Sequence, residues 1–209
     1  HFIKISKASP LKNIRLLVGI PYGITSVERR AVIDASLMSG AKDCFLIEEP
    51  MAAALGAGYN VFEPDGQLIV DIGGGTTEVA VISLGGIVVS ESIRIAGDKM
   101  DACIINHCRK NYNFLIGERM AEKIKCDVGS VLPLKEELSI EVTGRDLLTG
   151  LPKTFTISSM EIRDSIEEIV DSIISAIRRT LEVTPPELSS DIYKNGVTIT
   201  GGGALLRGL

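Results

Sequence analysis

Neither of the common phosphate-binding signatures is present in this chain, although glycine is plentiful. No Gly-Lys dipeptide occurs in its 209 residues, which excludes a Walker A loop. Counting from Gly73 or from Gly201, the third glycine of a Gly-x-Gly-x-x-Gly fingerprint falls on Glu78 or Leu206, which argues against a dinucleotide fold. The four cysteines, Cys44, Cys103, Cys108 and Cys126, form no Cys-x-x-Cys pair, and only two histidines accompany them, so a zinc site is disfavoured. His107, between Cys103 and Cys108, is assigned no ligand or catalytic role. The thiols read as reduced and mostly buried, as in a cytosolic protein. No apolar run reaches the length of a membrane span. A basic excess is also missing: 27 acidic against 22 basic residues give a formal charge of −5, which argues against a nucleic-acid partner. Disorder is excluded in turn, since 45% of the residues are hydrophobic. The length suffices for one large core or two modest ones.

What the chain does have is one junction used twice. Two β-branched runs each lead straight into a triple glycine, Leu68-Ile-Val-Asp-Ile-Gly-Gly-Gly-Thr-Thr77 and Val197-Thr-Ile-Thr-Gly-Gly-Gly-Ala204. Glycine lets a backbone turn sharply and approach a ligand closely, and successive bare N–H groups in such a turn suit phosphate oxygens. Asp71, at the tip of the first strand, is placed to hold a hydrated divalent cation beside those phosphates. The residues after Gly75 continue as strand, so the first triple glycine is expected to be the bend of a β-hairpin. The second is followed by Ala204-Leu-Leu-Arg207, which reads as a helix start whose free N–H groups favour an anion or a polar ligand edge. Either turn alone is equally well an ordinary bend. The pair points to a nucleotide held between two halves.

The first segment alternates strand and helix. Residues 14–20 read as a buried strand closed by Pro21, and Thr25-Ser-Val-Glu28 is a capping box that opens a helix running to Gly40. Residues 44–47 read as the next strand, after which Glu48-Glu-Pro50 opens a small-residue helix with Pro50 at its first position. The polar stretch 61–66 marks a boundary between halves. Beyond it come three meander strands (68–72, 78–83 and 87–93), a helix from about Asp98 and a helical stretch at 117–127. A hairpin-like pair (139–143 and 154–157) and one long helix follow. That helix opens on a second capping box, Ser158-Ser-Met-Glu161, and carries an apolar stripe through Ile162, Ile166, Ile169, Ile173, Ile177 and Leu181. The stripe reads as core packing, and Pro185-Pro186 stops the helix.

Five segments together resemble the MreB family of bacterial actin homologues, the rod-shape-determining proteins. They are Ile47-Glu-Glu-Pro-Met-Ala-Ala-Ala54, Asp71-Ile-Gly-Gly-Gly-Thr-Thr77, Ile95-Ala-Gly-Asp-Lys-Met-Asp101, Gly144-Arg-Asp-Leu-Leu-Thr-Gly150 and Thr200-Gly-Gly-Gly-Ala-Leu-Leu-Arg-Gly208. The Asp71 segment is shared by actin, heat-shock chaperone ATPases and sugar kinases; the first and fourth single out MreB. The resemblance implies an α/β actin-like ATPase fold with ribonuclease H-like subdomains, incomplete at both termini. It divides the chain into part of a first half (1–60), a second-half core with the phosphate hairpin (61–115), an inserted subdomain and long helix (116–184) and a return to the second-half core (185–209). It implies ATP and Mg²⁺ as cofactors, with Gly73, Gly74, Gly75 and Thr76 at the phosphates and Asp71 on the cation shell. Glu122 and Lys125 match the pair that brackets ribose and adenine, and a spacing of three puts both on one helix face. Read by themselves, they are as well a solvated charge pair. Gly202, Gly203, Ala204 and Leu205 match the adenosine turn, and Gly97 is expected to approach the nucleotide.

Glu49 is the candidate hydrolytic residue. A carboxylate at a helix N-terminus also complements the helix dipole, and both readings stay open at this point. In the functional one, Glu49 faces the γ-phosphate and orients or deprotonates the attacking water, whereas Glu48 faces elsewhere. The family resemblance further implies self-assembly into filaments, partners among the cell-shape and wall-synthesis membrane proteins, and a cytoplasmic protein associated with the membrane surface. The alternative within this fold is a non-polymerising ATPase such as a sugar kinase or a chaperone-type ATPase. The chain starts at His1 and stops at Leu209 one turn past the second triple glycine, and it reads as a fragment. On the resemblance, an N-terminal phosphate hairpin and C-terminal helices belong to the parent, and the fragment by itself is inactive as an ATPase.

Overall fold

The computed structural model describes residues 14–209, so the first 13 residues of the expected 1–60 segment lie outside the described residues. Strand β1 (Arg15–Ile20) pairs in parallel with β2 (Asp43–Glu48), with Gly19 opposite Ile47. Between them runs α1 (Ser26–Met38), started by the expected capping box: Glu28 N–H donates to Thr25 Oγ1 at 3.2 Å, and Thr25 N–H donates to Glu28 Oε2 at 2.8 Å. The expectation of a buried first strand is corrected: only Ile20 is buried, and Leu17 and Phe45 lie open on this two-stranded sheet. An apolar run is buried only where a neighbouring layer covers it, and here nothing among the described residues covers those two side chains.

Helix α2 (Glu49–Gly56) begins one residue earlier than expected, with Glu48 as N-cap and Pro50 inside the first turn. It packs against β1 and β2 on one side and against the larger sheet on the other. That sheet has the order β5-β4-β3-β9, built from β3 (Gln67–Ile72), β4 (Thr77–Ser83), β5 (Gly86–Ile93) and β9 (Val197–Thr200). Strands β3, β4 and β5 form the expected antiparallel meander, and β9 joins β3 in parallel. Register decides which face each side chain takes. Leu68, Val70 and Ile72 face the main core together with Val79 and Val81; Ile69 and Ile82 face a smaller cluster with Ala54 of α2 and Val61. Both faces are covered, which is why β4 is buried at every position.

The main core is closed by helices. These are α3 (Gly97–Tyr112), α4 (Glu118–Val128) and α5 (Ser159–Glu182). The stripe on α5 is core packing: Ile162, Ile166 and Ile173 are buried as expected, Ile169, Ile177 and Leu181 are only partly buried against the same core, Val170 and Ala176 are buried beside them, and the helix lies along β4 and β5. A three-stranded sheet of β6 (Phe114–Leu115), β7 (Ser139–Asp146) and β8 (Pro152–Ser158) sits at its N-terminal end. Two elements have no counterpart in the sequence reading. One is β6. The other is α6 (Pro186–Asn195), which Pro186 opens although the proline pair was expected only to end a helix. Of the four cysteines only Cys108 is buried, where burial pushes its thiol up to about 11; Cys126 is exposed on α4, so the expectation of mostly buried thiols is corrected.

Candidate functional site

The first triple glycine forms the bend between β3 and β4, closed by Gly73 N–H donating to Thr76 O at 2.9 Å. Gly97 N–H donates to Gly73 O at 3.1 Å and Asp98 N–H to Gly74 O at 2.8 Å, so the bend is fastened to the first turn of α3. The approach is tight at Gly97, where a Cβ would stand 3.3 Å from both Gly73 O and Lys125 Nζ. The N–H groups of Gly74, Gly75 and Thr76 donate to no acceptor among the described residues. The bend therefore leaves three backbone donors without a partner among the described residues, close to the Asp98 carboxylate, and free donors in a glycine turn suit an anionic group.

The second triple glycine crosses directly over the first strand. Gly201 has φ +82°, and a Cβ on it would fall 2.3 Å from Ile72 O and 2.5 Å from Asp71 Oδ1. The expected helix start after it is corrected to a single 3₁₀ turn, Gly202–Leu205, too short to carry an anion site on its dipole. Arg207 follows, and its Nη1 donates to Cys126 O at 3.2 Å and Gly129 O at 3.3 Å, tying the turn to the last carbonyls of α4.

Between these parts lies a cavity of about 820 Å³, within the range of small-molecule sites. Of the residues singled out in the sequence, Gly73, Gly74, Gly97, Glu122, Lys125, Gly202, Gly203 and Leu205 line it. Gly75, Thr76 and Ala204 belong to the same two turns but stand off its wall, as do Asp71 and Glu49. Glu122 and Lys125 share one face of α4, yet Lys125 is not paired with Glu122. Its ammonium donates to Gly97 O at 3.1 Å and lies 2.9 and 3.0 Å from the two carboxylate oxygens of Asp101. Burial pushes the Asp101 carboxyl up, Lys125 pulls it down, and Glu122 and Asp98 push it up again. Asp101 and Arg207 are wall residues that the sequence reading missed. The signal was there for Asp101, four residues after Gly97 and so on the same face of α3.

Asp71 and Glu49 lie near enough for their charges to interact. Asp71 pairs across the sheet with Glu78 and, in parallel, with Thr200, so the Asp71 and Glu78 side chains share the face covered by α2. The Glu49 side chain extends from the first residue of α2 over Gly19 of β1. Burial raises the Glu49 carboxyl above its usual range, and the nearby charges of Glu78 and Asp71 raise it further; burial alone raises Asp71. Glu48 turns away to Arg29 at 2.7 Å, whose hydrogen bond holds its carboxyl low. Among the described residues no group of three or more His, Cys, Asp or Glu side chains could hold a metal ion by itself. A cation at Asp71 would thus be bound chiefly by waters and ligand oxygens, a donor set that suits a hydrated divalent ion.

Comparison with known proteins gives this arrangement a context. The family model for MreB/Mbl protein matches residues 1–209. The chain is 53% identical over 211 residues to the cell shape-determining protein MreB of Escherichia coli (strain K12), covering all of itself and 61% of that protein. It is 50% identical over 210 residues to the cell shape-determining protein Mbl of Bacillus subtilis (strain 168), of which it covers 63%. The chain therefore spans somewhat under two thirds of the length of these relatives. Among solved structures it matches MreB5 of Spiroplasma citri bound to AMPPNP with a TM-score of 0.93 and 42% identity, over the whole chain and 64% of that one. The same protein bound to ADP gives 0.91 and 43%, with the chain spanning 62% of it. The MamK double helical filament matches with a TM-score of 0.80 at 21% identity, which supports the fold alone.

Proposed function

The chain belongs to the MreB/Mbl family and has its actin-like fold, and from that premise we propose that the intact protein is an ATP-binding cytoskeletal subunit. Its filaments would organise wall synthesis at the cytoplasmic face of the membrane and so maintain rod shape, through membrane proteins of the shape and wall-synthesis machinery. No helix among the described residues is long and apolar enough to cross a membrane, so the chain's link to the membrane would run through its surface or through other segments. The observation that carries the reading is the cavity itself. It is walled by both triple-glycine turns and by α4, in a chain whose relatives of known structure hold AMPPNP and ADP.

In this reading the free N–H groups at Gly74–Thr76 receive the phosphates, with Gly73 and Gly97 bracing the bend. Glu122 and Lys125 contact the ribose and adenine, and the turn Gly202–Leu205, with Ala204 at its centre, closes over the adenosine. Asp71 holds the hydration shell of Mg²⁺, which supplies charge neutralisation at the phosphates. Glu49 accepts a proton from, or orients, the attacking water, and its raised carboxyl brings it nearer the operating pH of a general base. Phosphoryl transfer of this kind needs positioning and charge stabilisation more than covalent chemistry, and these groups supply both. Because α2 touches both sheets, a ligand that fixes the distance between Glu49 and the bend also fixes the relation of the two sheets.

The test is pelleting and negative-stain microscopy of the intact protein with ATP, ADP or no nucleotide, with and without lipid. Polymer favoured by ATP is expected. Strictly monomeric protein in every condition would overturn the cytoskeletal reading.

A further inference from the structure

The buried strand β4 carries a carboxylate to which the proposed reaction gives no role. Glu78 is only 1% exposed. Register sets it in one row with Ser92 of β5 and Asp71 of β3, on the sheet face that α2 covers. Ser92 Oγ donates to Glu78 Oε1 at 2.6 Å, whereas Oε2 is fully enclosed and accepts no hydrogen bond among the described residues. A buried carboxylate with an unpaired oxygen is a standing cost, and an apolar residue would suit a buried strand better. Such a breach is expected where function requires it. Glu49, at the first position of α2, feels the charge of Glu78 more strongly than that of Asp71.

We propose that Glu78 is a positioning residue for the hydrolytic step: anchored by Ser92, its free oxygen receives the Glu49 carboxyl once that group has taken the proton of the attacking water. The proposal rests on the nucleotide reading above and on the role it gives Glu49. In that step a water O–H bond breaks and the proton passes to Glu49. The water oxygen bonds to the γ-phosphorus, and the bond from that phosphorus to the leaving ADP oxygen breaks. Before the transfer the two carboxylates repel. After it Glu49 donates and Glu78 accepts, so the pair gains as the proton arrives, and Glu49 is the stronger base for it. In this scheme Glu78 touches neither nucleotide nor cation, so it acts on turnover and not on binding.

The experiment measures phosphate release, fluorescent-nucleotide affinity and thermal melting of the intact protein with ATP in excess magnesium. Glu78→Gln keeps an acceptor for Ser92 but puts a donor where the free acceptor stood. Its kcat is expected to fall about tenfold, with KM and nucleotide affinity within about twofold of wild type. Its Tm should at least match wild type, because a buried charge is removed; a residue that merely held the sheet together would lower Tm and leave kcat alone. In the Glu49→Gln background the same change should slow the residual rate by less than about twofold, because the step it assists is already gone. Wild-type kcat in Glu78→Gln, or an equal loss in both backgrounds, would overturn the proposal. So would a loss of nucleotide affinity, which would set Glu78 on the cation or the ligand instead. Should Glu78→Gln fail to fold, wild-type kcat in Glu78→Met overturns it by itself. Absence of ATP binding by the wild type is a different result, because it removes the nucleotide reading along with this proposal.

Discussion

At the scale of single residues, the site is defined by what has been left out. Gly201 carries both a left-handed backbone and an approach that no side chain fits, against Ile72 O and Asp71 Oδ1. Gly201→Ala is therefore expected to cost about 2–4 kcal/mol, whereas Gly202→Ala, whose Cβ meets nothing within 4 Å, should cost less than about 1 kcal/mol. Urea titration of the two variants checks the contrast. Glu49 gives the converse case, a side chain whose environment opposes its charge. Burial and the charges of Glu78 and Asp71 place its folded pKa above the unfolded one. The folded state thus binds the proton more tightly, and stability falls as pH rises from the unfolded toward the folded value and stays lower above it. Glu49→Gln should remove that cost, raising Tm at neutral pH by about 2 °C while slowing hydrolysis at least about a hundredfold and sparing nucleotide binding. On the proposed function, in which Asp71 anchors the cation, Asp71→Ala should damage binding and hydrolysis of the intact protein together. Equal loss of nucleotide affinity in the two variants, read by fluorescent-nucleotide titration, would mean that the role given to Glu49 is wrong.

At the scale of elements, most of the fold rests on local signals that tertiary packing reinforces. The box at the start of α5 is complete, with Ser158 N–H donating to Glu161 Oε2 at 2.9 Å and Glu161 N–H to Ser158 Oγ at 3.4 Å. Ser158→Ala should cost about 1 kcal/mol, and Ile166→Ala, in the middle of the buried stripe, about 2–5 kcal/mol in thermal or urea unfolding. Such boxes, stripes and glycine turns are written in consecutive residues, which is why α1, α5, the β3–β4–β5 meander and the β7–β8 hairpin were legible in the sequence. What was not legible depends on partners distant in the chain. Leu17 in β1 has the composition of a buried residue, but burial is decided by the layer that covers it. The two residues of β6 become a strand only because they pair with β7 at Asp146 and Arg145. Pro186 opens a helix where the pattern suggested only an end. In the site, the spacing of Glu122 and Lys125 put both on one face of α4, and both line the cavity. It gave no hint that Lys125 is held by Asp101 from another helix, a contact 24 residues away in sequence.

At the scale of the whole molecule, the proposed nucleotide site bears on assembly through α2. Two sheets share α2, with Glu49 at its start between β1 and the carboxylates of Asp71 and Glu78. A nucleotide held by the bend, with its reactive end toward Glu49, would favour one relation of the two sheets. An interface that spans both would then fit a neighbour in that relation, so the ligand biases assembly by its differential affinity for the two arrangements. A head-to-tail contact that does not close into a ring extends into an open polymer. The most direct measurement is a cryo-electron microscopy map of the polymer formed by the intact protein with a non-hydrolysable ATP analogue. The account predicts adenosine density between α4 and the turn Gly202–Leu205, phosphates against Gly73–Thr76, and subunits stacked head to tail. A polymer with this cavity empty, or with the analogue bound elsewhere, would contradict it.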